Sequence, residues 1–107
     1  MDVKDVNADE LEQLLQNAKE LIILDLWAEW CHPCKRIEPY LHEIAQQYPD
    51  QVRVVRLNVD HYPQVPAKYG VMGIPTVIFF KDGEEKDRMI GAQPKRNFIK
   101  KVQELIE

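Results

Sequence analysis

The spacing of apolar and polar positions divides the chain into short segments of different period. Asn7, followed three residues later by Glu10, resembles a capping box, and Leu11, Leu14, Leu15 and Ala18 then recur at helical spacing. Leu21 to Trp27 is almost continuously apolar, as expected of a strand covered on both faces in a parallel sheet. From Pro33 to Tyr48, the residues Ile37, Leu41, Ile44, Ala45 and Tyr48 form one apolar stripe, and Pro49-Asp50 ends that helix. Val52 to Val59 reads as the next strand, with Val55, Leu57 and Val59 on one face. Strand, helix and strand in this order predict a right-handed crossover and parallel pairing. Pro63 to Tyr69 reads as a short helix closed by Gly70. Thr76 to Phe80 is a further strand, Lys81-Asp82-Gly83-Glu84 a hairpin turn, and Lys86 to Ile90 its antiparallel partner. A last helix, Lys95 to Ile106, packs through Phe98, Ile99, Val102, Leu105 and Ile106. The pattern predicts an α/β fold with a central mixed β-sheet flanked by helices on both faces.

The 107 residues contain no repeat, low-complexity stretch or Gly/Ser linker, so a single domain over 1–107 is expected. A chain of this length buries about two-thirds of its unfolded surface and needs no disulfide framework, which two cysteines could not supply. Fourteen Lys and Arg against eighteen Asp and Glu give a net charge of −4, the wrong sign for a protein that neutralises phosphate, so no nucleic acid partner is expected. Lys95, Arg96, Lys100 and Lys101 read as a solvated helix face. The first twenty residues are acidic and lack the basic and apolar regions of a secretory signal, and Leu21–Trp27 is too short to span a bilayer. The expectation is a cytoplasmic protein with no membrane attachment. Thiols there are mostly reduced, so two cysteines three positions apart point to catalysis, redox sensing or metal rather than to structure.

Trp30-Cys31-His32-Pro33-Cys34-Lys35 lies where the first buried strand turns into a helix. Residues three apart on a helix have Cα atoms roughly 5 Å apart, inside the range a disulfide accepts, so the pair can close and open with little backbone movement. Cys31, at or just before the first turn, meets unpaired N–H groups and the positive end of the helix dipole, which favour a thiolate and make it the attacking sulfur. Cys34, one turn in and expected to be less accessible, suits the resolving thiol. Pro33 fits a first-turn position because its missing N–H would have no intrahelical partner. Two plainer readings compete. A zinc site would need two further ligands, and His42 and His61 form neither a His-x3-5-His pair nor a second Cys-x-x-Cys. Inert core cysteines would be oddly set among Trp, His, Pro and Lys at a helix start.

Asp25-Leu26-Trp27-Ala28-Glu29-Trp30-Cys31-His32-Pro33-Cys34-Lys35, Leu57-Asn58-Val59-Asp60, Tyr69-Gly70-Val71-Met72-Gly73-Ile74-Pro75-Thr76 and Lys81-Asp82-Gly83-Glu84 together resemble the thioredoxin family almost end to end. The resemblance implies the thioredoxin fold, dithiol–disulfide exchange with disulfide-containing client proteins, a thioredoxin reductase as electron donor, and neither metal nor organic cofactor. Asp25 interrupts a strand that is otherwise dry, so its charged form is disfavoured and its pKa is expected to rise; a solvated sheet edge is the alternative. The resemblance makes Asp25 the group that takes a proton from Cys34. It implies a cis Ile74-Pro75 bond beside the disulfide, where sequence alone gives an X-Pro bond only a roughly 5–6% chance of being cis. It also implies a shallow apolar docking surface of Trp30, Gly73, Ile74, Pro75, Gly91 and Ala92, and a kink at Pro39.

The chain departs from the family at several positions. His32 replaces the usual Gly between the sulfurs, where an imidazole can stabilise the Cys31 thiolate and make the disulfide more oxidising; an exposed His facing solvent is the alternative. Arg56 replaces a lysine often found near the buried Asp and, being always charged, can tune Asp25 differently. Met72 stands where many relatives carry a charge, and either extends the docking surface or fills the core. The function that follows is reduction of client disulfides by a monomer. A more oxidising disulfide oxidase or isomerase, and a redox-switched binding module, stand as alternatives.

Overall fold

Nine elements run along residues 3–106, the part of the chain that the computed structural model describes. They are β1 (Val3–Asp5), α1 (Ala8–Asn17), β2 (Leu21–Trp27), α2 (His32–Gln47), β3 (Val52–Asn58), α3 (Gln64–Lys68), β4 (Thr76–Lys81), β5 (Glu84–Ile90) and α4 (Lys95–Leu105). The Asn7 side chain accepts from the Glu10 N–H at 2.8 Å and the Asn7 N–H donates to Glu10 Oε1 at 2.9 Å, so the capping box is closed in both directions. α2 continues through Pro39, which has no N–H to donate. Gly70 closes α3 at a φ of 65°, and Asp82 and Gly83, at 54° and 80°, supply the positive dihedrals of a two-residue hairpin turn.

The strands form one sheet in the order β1-β3-β2-β4-β5. β1 and β2 both run parallel to β3, whereas β4 is antiparallel to β2 and to β5. β1 is the element that periodicity does not predict, because three mostly exposed residues are too short to show a period; its pairing with Val54–Arg56 makes it a strand. Other boundaries move by a residue or two. β5 begins at Glu84, two residues before the expected Lys86, and β3 ends at Asn58, so Val59 lies beyond the strand.

Strand alternation sends successive side chains to opposite faces, and each face has its own core. Leu21, Ile23, Val54, Val77 and Phe79 pack with Ile37, Leu41 and Ile44 of α2 and with Phe98 and Val102 of α4. Ile22, Leu24, Leu26, Leu57, Ile78 and Phe80 pack with Leu11 of α1 and Val65 of α3. Helices therefore cover both faces, as the mixed apolar pattern predicts. β2 lies third of the five strands, and its C-terminal end feeds directly into the cysteine turn.

Candidate active site

Cys31 is the N-cap of α2 and Cys34 lies in its first turn. The two form a disulfide with Cα atoms 5.3 Å apart, and the Cys34 N–H points at Cys31 Sγ, 3.2 Å away. Helix geometry thus aims an otherwise unpaired backbone donor at the sulfur read as the nucleophile. The expectation that Cys34 is the less accessible of the two does not hold in this oxidised form, where both residues are 2% exposed. Their different positions in the helix start, rather than exposure, set them apart. Pro33 occupies the first turn, and His32, the first helical residue, is exposed.

Asp25 is 1% exposed on the central strand, which removes the reading of a solvated edge. It shares strand parity with Leu21 and Ile23, so it faces the layer that α2 covers. Neither carboxylate oxygen has a hydrogen-bond partner among the described residues. Burial pushes its pKa up to about 7, against the pull of the Arg56 guanidinium and with the help of Glu38 and Asp5. Arg56, opposite Asp25 in the parallel register, donates from Nη1 to Glu38 Oε2 at 2.6 Å. Its Nε lies 3.1 Å from Asp5 Oδ1, an ion pair without the alignment of a hydrogen bond, and the guanidinium stacks 3.9 Å from the Trp27 ring centre.

The rim of the site is apolar. Ile74 packs against Cys31 and Cys34, and the bond from Ile74 to Pro75 is cis. The Thr76 hydroxyl donates to the Gly73 carbonyl at 2.6 Å and the Gly91 N–H to the Pro75 carbonyl at 2.8 Å, which ties the Gly73–Pro75 segment to β4 and to the end of β5. Trp30 is exposed, with its indole Nε1 donating to Asp60 Oδ2 at 2.9 Å. Trp30, Met72, Gly73 and Ile74 line a groove of about 240 Å³ together with Val59, Pro63, Pro66 and Val71. Met72 is 99% exposed, so it belongs to this surface and not to the core. Ala92 and Ile90 are exposed on either side of Gly91.

Three contributors escape sequence reasoning. Asp60 fixes the Trp30 ring across thirty residues, Glu38 holds Arg56 across eighteen, and Ile90 reaches the surface from a strand whose alternation alone does not say which face is covered. No local pattern pairs residues so far apart.

A family model described as Thioredoxin matches residues 2–104. The chain belongs to the thioredoxin family. It is 42% identical over 102 residues to an M-type chloroplastic thioredoxin of Brassica napus, covering 95% of this chain and 58% of that one. It is 50% identical over 74 residues to thioredoxin 1 of Synechococcus elongatus, covering 69% of each. Among solved structures, a mutant thioredoxin from Halobacterium salinarum superposes with a TM-score of 0.90 at 27% identity, over 99% of this chain and 92% of the other. The chain therefore spans less than two-thirds of the length of the plant relative. Thioredoxin-family proteins are oxidoreductases acting by dithiol–disulfide exchange, and the Cys31–Cys34 disulfide is the group such exchange requires. No helix of the described residues is long and apolar enough to cross a membrane.

Proposed function

We propose that this chain reduces disulfides in client proteins, with Cys31 as nucleophile and Cys34 as resolving thiol. The observation that carries the reading is the Cys31–Cys34 disulfide at the start of α2, packed against Ile74 and aimed at by a backbone N–H. In the reduced protein the Cys31 thiolate attacks one sulfur of a client disulfide, forms a mixed disulfide and releases the other client sulfur as a thiolate, which takes a proton from solvent. Cys34 then gives its proton to the Asp25 carboxylate, through water, and attacks Cys31 Sγ. The bond to the client breaks, the second client sulfur leaves as a thiolate that takes a proton from solvent, and the Cys31–Cys34 disulfide closes. Two electrons have moved to the client, and a thioredoxin reductase supplies two more to reopen the Cys31–Cys34 disulfide.

Asp25 fits the proton role because a pKa of about 7 leaves it comparably able to accept and return a proton at neutral pH. Trp30 and Ile74 form the docking surface, with Gly73, Gly91 and Ala92 leaving backbone accessible and Met72 enlarging the apolar area, whereas Pro75, expected on that surface, is itself buried. His32 and Arg56 tune the site, and Pro33 sets the helix start. We read the protein as a cytoplasmic monomer, because a dithiol reductant works where thiols are kept reduced.

An insulin-reduction assay driven by a thioredoxin reductase tests the reading. Catalytic turnover is expected for the full chain and none for Cys31→Ser, whereas a rate no higher than that of free dithiol at equal concentration would rule reduction out.

A further inference from the structure

The cation closest in register to the buried carboxyl is committed elsewhere. Parallel pairing sets Asp25 opposite Arg56, and both belong to the face that α2 covers. A guanidinium free to turn inward there could satisfy the carboxylate with two parallel hydrogen bonds. Arg56 is instead held by Glu38 of α2 at 2.6 Å, by Asp5 of β1 at 3.1 Å and by the Trp27 ring at 3.9 Å, while both oxygens of Asp25 stay without a partner among the described residues. The two anions are unequal. The Glu38 side chain is 33% exposed and that of Asp5 74%, so water and salt screen the Asp5 contact more, and Glu38 is the firmer hold.

We propose that Glu38 is a positioning residue: by clamping Arg56 against Trp27 it keeps the guanidinium off Asp25 and leaves that carboxyl free to exchange a proton with the active-site thiol. The inference rests on the reading of Asp25 as the proton acceptor for Cys34. A carboxylate pinned by a guanidinium becomes too weak a base to take a thiol proton. The charged groups that act on Asp25 are Arg56 from β3, Glu38 from α2 and Asp5 from β1. β4 presents Val77 opposite Asp25, and α4 adds apolar side chains to that core, Phe98 and Val102 with Ile99 and Leu105 packed against them.

The test follows the Asp25 carboxyl by carbon NMR across a pH titration of the full oxidised chain, in which the cysteines do not titrate. Glu38→Gln is expected to move the midpoint down by roughly one pH unit, because the like charge is lost and Arg56 is released. In an Arg56→Gln background the same substitution is expected to move it by roughly half as much or less, since only the direct charge of Glu38 remains. An unchanged midpoint in Glu38→Gln overturns the proposal, and so do equal shifts in the two backgrounds. The pH profile of insulin reduction separates this from the mechanism: a shifted Asp25 midpoint with an unshifted acid limb upholds the clamp and contradicts Asp25 as the proton acceptor.

Discussion

Asp25 is the one buried charged residue among those described, and its proton affinity ties stability to pH in a definite direction. In the unfolded chain its carboxyl ionises near pH 4, whereas in the fold it keeps its proton up to about 7. Stabilisation is thus complete below pH ~4, is lost as pH rises toward 7, and is gone above it, a change of about 4 kcal/mol. Asp25→Asn is expected to be more stable than the parent at pH 8 by a few kcal/mol, nearly equal to it at pH 4, and slower in disulfide reduction. Urea unfolding at the two pH values checks this, and a difference independent of pH would contradict it. At His32, the imidazole one residue from the Cys31 sulfur is expected to favour the thiolate, so His32→Gly lowers the reduction potential by roughly 30 mV, equivalent to about 1.4 kcal/mol. Glutathione redox titration reads this directly. These residues are legible in the sequence because their chemistry is local: an Asp inside an apolar run and a His between two cysteines are visible without a fold. Glu38 and Asp60 are not, since each acts on a partner that only the fold brings near.

At the scale of elements, the strands and helices with a full period can be read from the chain. β2 matches its apolar run from Leu21 to Trp27 residue for residue, because a strand buried on both faces leaves few polar positions to blur its ends. β1 cannot be read this way, because its three residues become a strand only through hydrogen bonds to β3. The capping box of α1 is a local device with a local cost. Asn7→Ala removes the acceptor for the Glu10 N–H and is expected to destabilise the protein by about 1 kcal/mol in urea unfolding, with disulfide reduction unchanged. An equal loss of activity would mean that α1 communicates with the cysteines, which no contact described above requires.

At the scale of the whole molecule, the sheet order brings the site together from distant parts of the chain. β2 delivers Asp25 and the cysteine turn, β3 delivers Arg56 and then Val59, and the loop before β4 delivers Ile74 beside the disulfide. The apolar groove from Trp30 to Met72 exists only in this arrangement, and Met72→Lys is expected to raise KM for an apolar client by a few-fold with little change in kcat. All of this converges on a division of labour between the two sulfurs, which covalent trapping can read. Reduced Cys34→Ser chain is mixed with a disulfide-containing client, and the covalent adducts are mapped by mass spectrometry. A stable mixed disulfide through Cys31 is expected. Failure to trap any adduct, with Cys31 left as a free thiol, would contradict that division.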